Sequence, residues 1–259
     1  MIWRGRIFFR GQGSGVRDRG VGLPVGLIAF VICAGMLRAG SVAGAVEITN
    51  SQAPGVRKNK NYSGVVIWLT PVGRTAPAAA SPARHERMLQ KNRHFVPHVL
   101  AIAVGGTVDF PNLDLIFHNA FSNFSGQPFD TALYAPGTSR GQTFKVPGIV
   151  RVFCNIHPTM SAIIAVVPTP WYAVTEPTGM FAIPNVPAGD YELHIFHERS
   201  LPENVRFLER TITVPEGGLA LPLIPITETG WIATPHRNKY GQPYPPVASD
   251  GSTYPGAGK

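Results

Sequence analysis

The chain is 259 residues long, holds 25 Pro and 28 Gly, and only 15% of it is charged; that length can bury two modest cores, and the punctuation argues for strands and turns rather than long helices. The formal net charge of +8 hints at a polyanionic partner, but Arg4, Arg6, Arg10, Arg17, Arg19 and Arg38 crowd the N-terminus against Asp18 alone. The remainder of the chain carries 17 basic and 14 acidic residues, a net of +3, too weak a bias to argue for nucleic acid.

Residues 1–45 read as an export signal. An Arg-rich start precedes an apolar stretch over residues 23–33, and small residues lead to Ala43-Gly44-Ala45, with cleavage expected after Ala45. The competing reading is an uncleaved anchor, with the apolar stretch extended to Met36-Leu37. Against it, the stretch is short for a span, interrupted by Pro24 and followed by a small-residue cleavage site, so no stable membrane insertion is expected after cleavage. The product is then periplasmic or otherwise exported. Cys33 leaves with the signal, and Cys154 remains as a lone thiol that cannot close an internal disulfide. Either it is an inert core cysteine or a metal holds it.

Beyond the signal, the basic run Arg57-Lys58-Lys60 reads as a solvated edge, and Val65-Val66-Ile67-Trp68-Leu69-Thr70 as a buried strand. Residues 76–83 form an Ala/Pro-rich surface loop. Residues 95–104 have the period of a strand, with Val96, His98, Leu100, Ile102 and Val104 on one face. On that pattern His98 is a buried histidine satisfied by a hydrogen bond; a metal-related role is the alternative. Residues 107–110 begin the next strand, and the aromatic excursion carrying Phe124, Phe129 and Tyr134 reads as packing. Residues 149–154 put Val150, Val152 and Cys154 on one face, and residues 160–167 do the same with Met160, Ala162, Ile164 and Val166. Pro168-Thr169-Pro170 marks a boundary. The run Gly179 to Ile195 alternates apolar residues between Gly and Pro turns, as hairpins do. His194 and His197, three apart on a strand, point to opposite faces and do not form a chelating pair. After Ile226 the chain is rich in Gly, Pro and Tyr to Lys259 and reads as a disordered or loosely held tail, with an interaction arm as the alternative.

The chemistry concentrates in Cys154-Asn155-Ile156-His157-Pro158-Thr159-Met160. A thiolate, an imidazole and a thioether in one short loop are the soft and borderline donors that copper prefers, and a blue-copper site takes two His and one Cys with a weak axial Met. The missing imidazole is expected from a lone His upstream, on a different strand, and His118, in Ile116-Phe117-His118-Asn119, fits that place.

The loop Cys-x2-His-Pro-x-Met resembles the copper loop of amicyanin and, more loosely, of plastocyanin and pseudoazurin, all of them cupredoxins. The wider run from Phe95-Val96-Pro97-His98 through Gly105-Gly106-Thr107-Val108-Asp109-Phe110-Pro111-Asn112 and His118-Asn119 to Met160 resembles the secreted, methylamine-utilisation-type bacterial cupredoxins. Gly179-Met180-Phe181-Ala182-Ile183-Pro184-Asn185-Val186-Pro187-Ala188-Gly189-Asp190-Tyr191-Glu192-Leu193 is similar to the signature of carboxypeptidase-regulatory-like, transthyretin-type sandwiches. These resemblances imply an all-β chain: a signal at 1–45, a Greek-key cupredoxin β-sandwich at 46–168, a smaller transthyretin-like β-sandwich at 169–230, and a tail at 231–259. They imply one type 1 copper held by His118, Cys154, His157 and Met160. Asn119 would tie the two ligand segments together, and His157 with Pro158 would form the electron-exchange surface. The function implied is single-electron transfer between transient partners such as a dehydrogenase or a c-type cytochrome, not enzymatic turnover. Copper delivery without electron traffic is the alternative reading. A copper oxidase or nitrite reductase would call for His-x-His pairs, which this sequence lacks.

Overall fold

The computed structural model describes residues 40–76, 85–123 and 126–244. Most of the expected export signal, nearly all of the Ala/Pro-rich loop, Phe124 and the last fifteen residues of the expected tail lie outside that span. In chain order, β1 (Gly40–Thr49), the short helix α1 (Pro54–Asn59) and β2 (Val66–Pro71) come first. The middle of the chain supplies β3 (His85–Arg87), β4 (Leu89–Lys91), β5 (His94–Val96), β6 (Val99–Ala103), β7 (Thr107–Pro111), β8 (Phe121–Ser122), β9 (Phe129–Asp130), β10 (Ser139–Thr143), β11 (Gly148–Phe153) and β12 (Ser161–Val167). The last part adds β13 (Tyr172–Val174), β14 (Met180–Val186), β15 (Gly189–Phe196), α2 (Pro202–Arg206), β16 (Arg210–Val214), β17 (Gly218–Ala220) and β18 (Ile224–Thr227).

These strands stack as sheets with three apolar seams between them. The first sheet runs β14-β1-β17 with β18 also on β1, the second β13-β2-β15-β16, the third β6-β12-β11-β8-β9 and the fourth β10-β7-β3. Val42, Val46 and Ile183 of the first sheet meet Ile67, Leu69, Tyr191 and Leu193 of the second. Val66 on the other face of β2 meets Ala101 and Ala165 of the third. Val150, Val152 and Ile164 of the third face Val108 and Phe110 of the fourth. The chain is therefore all-β, as expected, and built as two sandwiches back to back. The continuous apolar runs in β2 and β12 have a physical cause: both faces of each strand are covered, so neither face has to be polar.

Three expectations change. First, the linear boundaries put β2 and the second half of β1 in a sandwich ending at 168, yet both strands pair with partners beyond it: β1 with β14, β17 and β18, β2 with β13 and β15. The sandwich that holds the Cys154 loop is thus an insertion between two halves of the other. All of the β1 pairing with β14 and β17 lies within residues 40–45, and Val42 is fully buried. A cut after Ala45 would remove it, so a mature chain that keeps this strand starts at or before Gly40. Second, β14 and β15 do not form a hairpin. Only Pro187-Ala188 separates them, but β14 joins the first sheet and β15 the second, so the turn arches across the core. Third, the strand expected over residues 95–104 breaks at Pro97-His98. Proline has no N–H for a ladder, the phase is lost, and Val96 and Val104 are exposed while Ile102 is buried.

Candidate metal centre

The last pair of the β11–β12 ladder is Phe153 with Ser161, so residues 154–160 are the loop that joins these strands. Cys154 N–H donates to the Met160 carbonyl at 3.2 Å and Met160 N–H to the His157 carbonyl at 3.1 Å, which closes the loop on itself. Its two ends therefore lie side by side, and Cys154 and Met160 enter the same buried cluster. His118 arrives from the segment before β8. Its backbone exchanges hydrogen bonds with Tyr134, whose hydroxyl donates to the Phe110 carbonyl of β7 at 2.7 Å. That anchor fixes the height of the imidazole in the sandwich.

The ring nitrogens of His118 have distinct roles. Nε2 lies 2.9 Å from Asp114 Oδ2, and the Asp114 carboxylate also accepts the backbone N–H groups of Asn92 at 2.6 Å and Arg93 at 2.8 Å. Asn92 and Arg93 adopt the left-handed conformation in the β4–β5 turn, with φ of 54° and 59°, which lets both N–H groups converge on one carboxylate. Burial pushes the Asp114 carboxyl up, but these donors outweigh it and the net shift is down. The carboxylate is charged and accepts from Nε2–H. Nδ1 then carries the lone pair, 3.5 Å from Cys154 Sγ.

The thiol is fully buried, and that burial raises its pKa against the pull of the Asn119, Ile156 and His157 backbone N–H groups. Without metal, the S–H donates to His118 Nδ1. His157 completes the group. It is 5% exposed, its ring centroid lies 5.1 Å from that of His118, and both of its nitrogens are buried without a hydrogen-bond partner. Burial, reinforced by His118 and Arg93, lowers its pKa to about 4, so the ring is neutral at ordinary pH and offers a lone pair.

The donor atoms of His118, Cys154 and His157 all lie within 4.8 Å of one another. Bonds of about 2.0 Å to nitrogen and about 2.3 Å to sulfur, at trigonal to tetrahedral angles, put the two donors about 3.5–3.7 Å apart. The His118 Nδ1–Cys154 Sγ distance of 3.5 Å falls at that value. A buried imidazole with two orphaned nitrogens is costly in a metal-free fold, and an ion bound at this point would occupy one of them. The residues therefore fit a soft or borderline metal ion.

Asn119, expected between the ligand segments, accepts the Asn155 N–H on Oδ1 at 2.8 Å and donates from Nδ2 to Asp130 at 2.9 Å. Pro158 is half-buried beside exposed Thr159. His98 lies outside the group and is exposed, not buried as its strand phase implied. Its Nδ1 faces the Ser161 carbonyl at 3.0 Å and its Nε2 the Glu198 carboxylate at 2.6 Å. His194 stacks on Trp68 and contacts Thr70 and Glu209, whereas His197 contacts Glu228; the two have no common partner. Sequence reasoning missed Asp114, for which an acidic residue four before His118 is the only local signal. It also missed residues 231–244. That part of the expected disordered tail returns to the Cys154 loop, where Tyr244 donates to the Cys154 carbonyl and Lys239 N–H to Asn155 Oδ1.

No family model and no curated protein matches the chain. Among solved structures, a copper-containing nitrite reductase from Thermus scotoductus SA-01 is 31% identical over 36% of this chain, with a TM-score of 0.32. A purple cupredoxin from Nitrosopumilus maritimus is 22% identical over 32% of this chain and 99% of its own, with a TM-score of 0.29. A mutant of amicyanin in its Cu(I) state is 19% identical over 38% of this chain and 98% of its own, with a TM-score of 0.31. This chain spans only 27% of the length of the nitrite reductase.

Proposed function

We propose that the chain holds one copper ion through His118, Cys154, His157 and Met160 and carries single electrons between transient partners such as a dehydrogenase and a c-type cytochrome, in the periplasm or another exported compartment. The observation that carries this reading is the convergence of one thiol and two neutral imidazoles, all buried, with the Met160 thioether in the same cluster. Copper supplies a one-electron couple when bound by such a donor set. The residues do the rest. Asp114 holds the His118 tautomer, Asn119 joins the two ligand segments, and the β11–β12 ladder keeps the ends of the loop together, so little has to move when the charge changes. His118 and Cys154 are fully buried and His157 is only 5% exposed, an arrangement that favours a carrier over an enzyme that admits a substrate to the metal. Partner docking would occur where the loop nears the surface, at His157 and Pro158. No helix among the described residues is long and apolar enough to cross a membrane. The second sandwich serves, on this reading, as a non-catalytic support.

Visible and electron-spin resonance spectra of the copper-loaded protein test the proposal. The expected result is intense blue absorption with narrow copper hyperfine splitting, lost in Cys154→Ser and retained with a changed potential in Met160→Gln. A colourless copper-loaded protein would sink it. Slow redox cycling combined with ready copper transfer to an acceptor would point to delivery instead.

A further inference from the structure

We infer that residues 231–244 are a strap that positions the Cys154 ligand segment, with Tyr244 and Lys239 as its anchoring residues. The inference rests on the reading of Cys154 as a metal ligand. The segment is organised around Asn238. Its Oδ1 accepts the N–H groups of Tyr240 and Gln242 at 3.0 Å each, and its backbone bonds to Gln242 and Gly241 close a tight turn. An Asx turn of this kind needs no sheet to hold its shape.

The turn presents Lys239 to the Cys154 segment directly and to the His118 segment through Asp130. Lys239 N–H donates to Asn155 Oδ1 at 3.0 Å and Lys239 Nζ to Asp130 Oδ2 at 2.6 Å. The other Asp130 oxygen accepts Asn119 Nδ2 at 2.9 Å, and Asn119 Oδ1 accepts Asn155 N–H at 2.8 Å. These four residues form a closed ring of hydrogen bonds. Two of its members come directly after His118 and Cys154 in the chain, so the ring couples both ligands to the strap. Downstream, Tyr244 donates its hydroxyl to the Cys154 carbonyl at 2.8 Å, and the His236 ring stacks on Phe153 with centroids 4.1 Å apart. The strap thus grips Phe153, Cys154 and Asn155 in succession. Holding the Cys154 backbone fixes the direction of its Cα–Cβ bond and so the arc on which Sγ can lie, and the same contacts limit opening of the loop to solvent.

Two variants of the chain from residue 40 onward, in which Cys154 is the single thiol, test this: Tyr244→Phe, and the combination His236→Ala, Lys239→Ala, Tyr244→Phe. The first readout is metal-free: the rate at which an aromatic disulfide reagent modifies Cys154 in the native protein. Loss of one hydrogen bond allows about a fivefold increase, and release of the whole strap more than about tenfold. The second readout is the reduction potential and copper hyperfine splitting of the loaded protein, expected to shift in both variants while the thermal midpoint of Tyr244→Phe stays near that of the wild type. Unchanged thiol reactivity in both variants, or unchanged potential and spectrum in the presence of faster modification, overturns the positioning role. If the triple variant does not fold, Tyr244→Phe alone decides. Failure of even the wild type to take up copper would sink the copper reading, while the thiol rates would still report whether the strap guards Cys154.

Discussion

Asp114 decides which nitrogen His118 can offer. One of its oxygens takes the Asn92 N–H, and the other takes both the Arg93 N–H and His118 Nε2. An asparagine would place an NH2 group against at least one of these donors. Asp114→Asn is expected to cost about 1–3 kcal/mol of stability, since an ionised acceptor of three N–H groups becomes a neutral amide that accepts on one side only, and about 10–100-fold in metal affinity, because the hold on the His118 tautomer weakens. The pH dependence has a definite sign. The folded pKa of Asp114 lies below the ordinary 3.8, so its contribution is complete above that pH and disappears as the pH falls through the lower folded value. Denaturant titration of the metal-free proteins should show the two converging at low pH; a gap that persists there would contradict this assignment. The meeting of His118, Cys154 and His157 was legible in the sequence, because a thiol and an imidazole three residues apart in a short loop, with a lone histidine upstream, have few other uses. Asp114 was not, since one acidic residue in a loop looks like any other until the β4–β5 turn is folded against it.

At the scale of elements, period-two reading succeeded where a strand is continuous and failed where a proline interrupts it. In β11 the alternation put Val150 and Val152 inside, and both are fully buried. Between β5 and β6 the same rule put His98 inside, but the break at Pro97 turns it outward to Glu198, just past β15. This pair links the two sandwiches. Both acceptors of the ring, the Ser161 carbonyl and the Glu198 carboxylate, call for N–H donors, so the imidazolium is the form that fits. The bond to Glu198 raises the His98 pKa by more than burial lowers it. Burial pushes the Glu198 carboxyl up, but His98, Arg151 and Arg199 bring the net shift down. The raised histidine stabilises fully below its ordinary 6.5, and that contribution is lost as the pH rises through the folded value. The lowered carboxylate contributes above its ordinary 4.5 and is lost as the pH falls through its folded value. The melting-temperature difference between wild type and His98→Asn should therefore be greatest between pH 4.5 and 6.5 and shrink on both sides. A difference that does not vary with pH would show that the pair carries no charge-dependent stability.

At the scale of the whole molecule, chain order conceals the architecture. Composition, turns and the Pro168-Thr169-Pro170 boundary all point to two sandwiches, but a linear reading assigns each stretch to its sequence neighbours. Nothing local in Val65-Val66-Ile67-Trp68-Leu69 says that its partners lie more than a hundred residues away. The only hint is that the run is apolar on both faces, which demands cover from two sides. The consequence can be tested by cutting the chain where the linear reading would. A fragment spanning residues 46–168 keeps β2 but removes β13 and β15, its two neighbours in the sheet. Ile67 and Leu69, fully buried in the intact chain, then face solvent beside two unpaired strand edges. Such a strand is a template for aggregation. The fragment is expected to be insoluble or to bind hydrophobic dyes strongly, whereas the chain through residue 244 should do neither. A soluble 46–168 fragment with a cooperative unfolding transition would mean that the inserted sandwich does not need its flanking halves. The strand pairing argues otherwise, because the seam formed by Val66, Ala101 and Ala165 is closed only when β2 is held in place from behind.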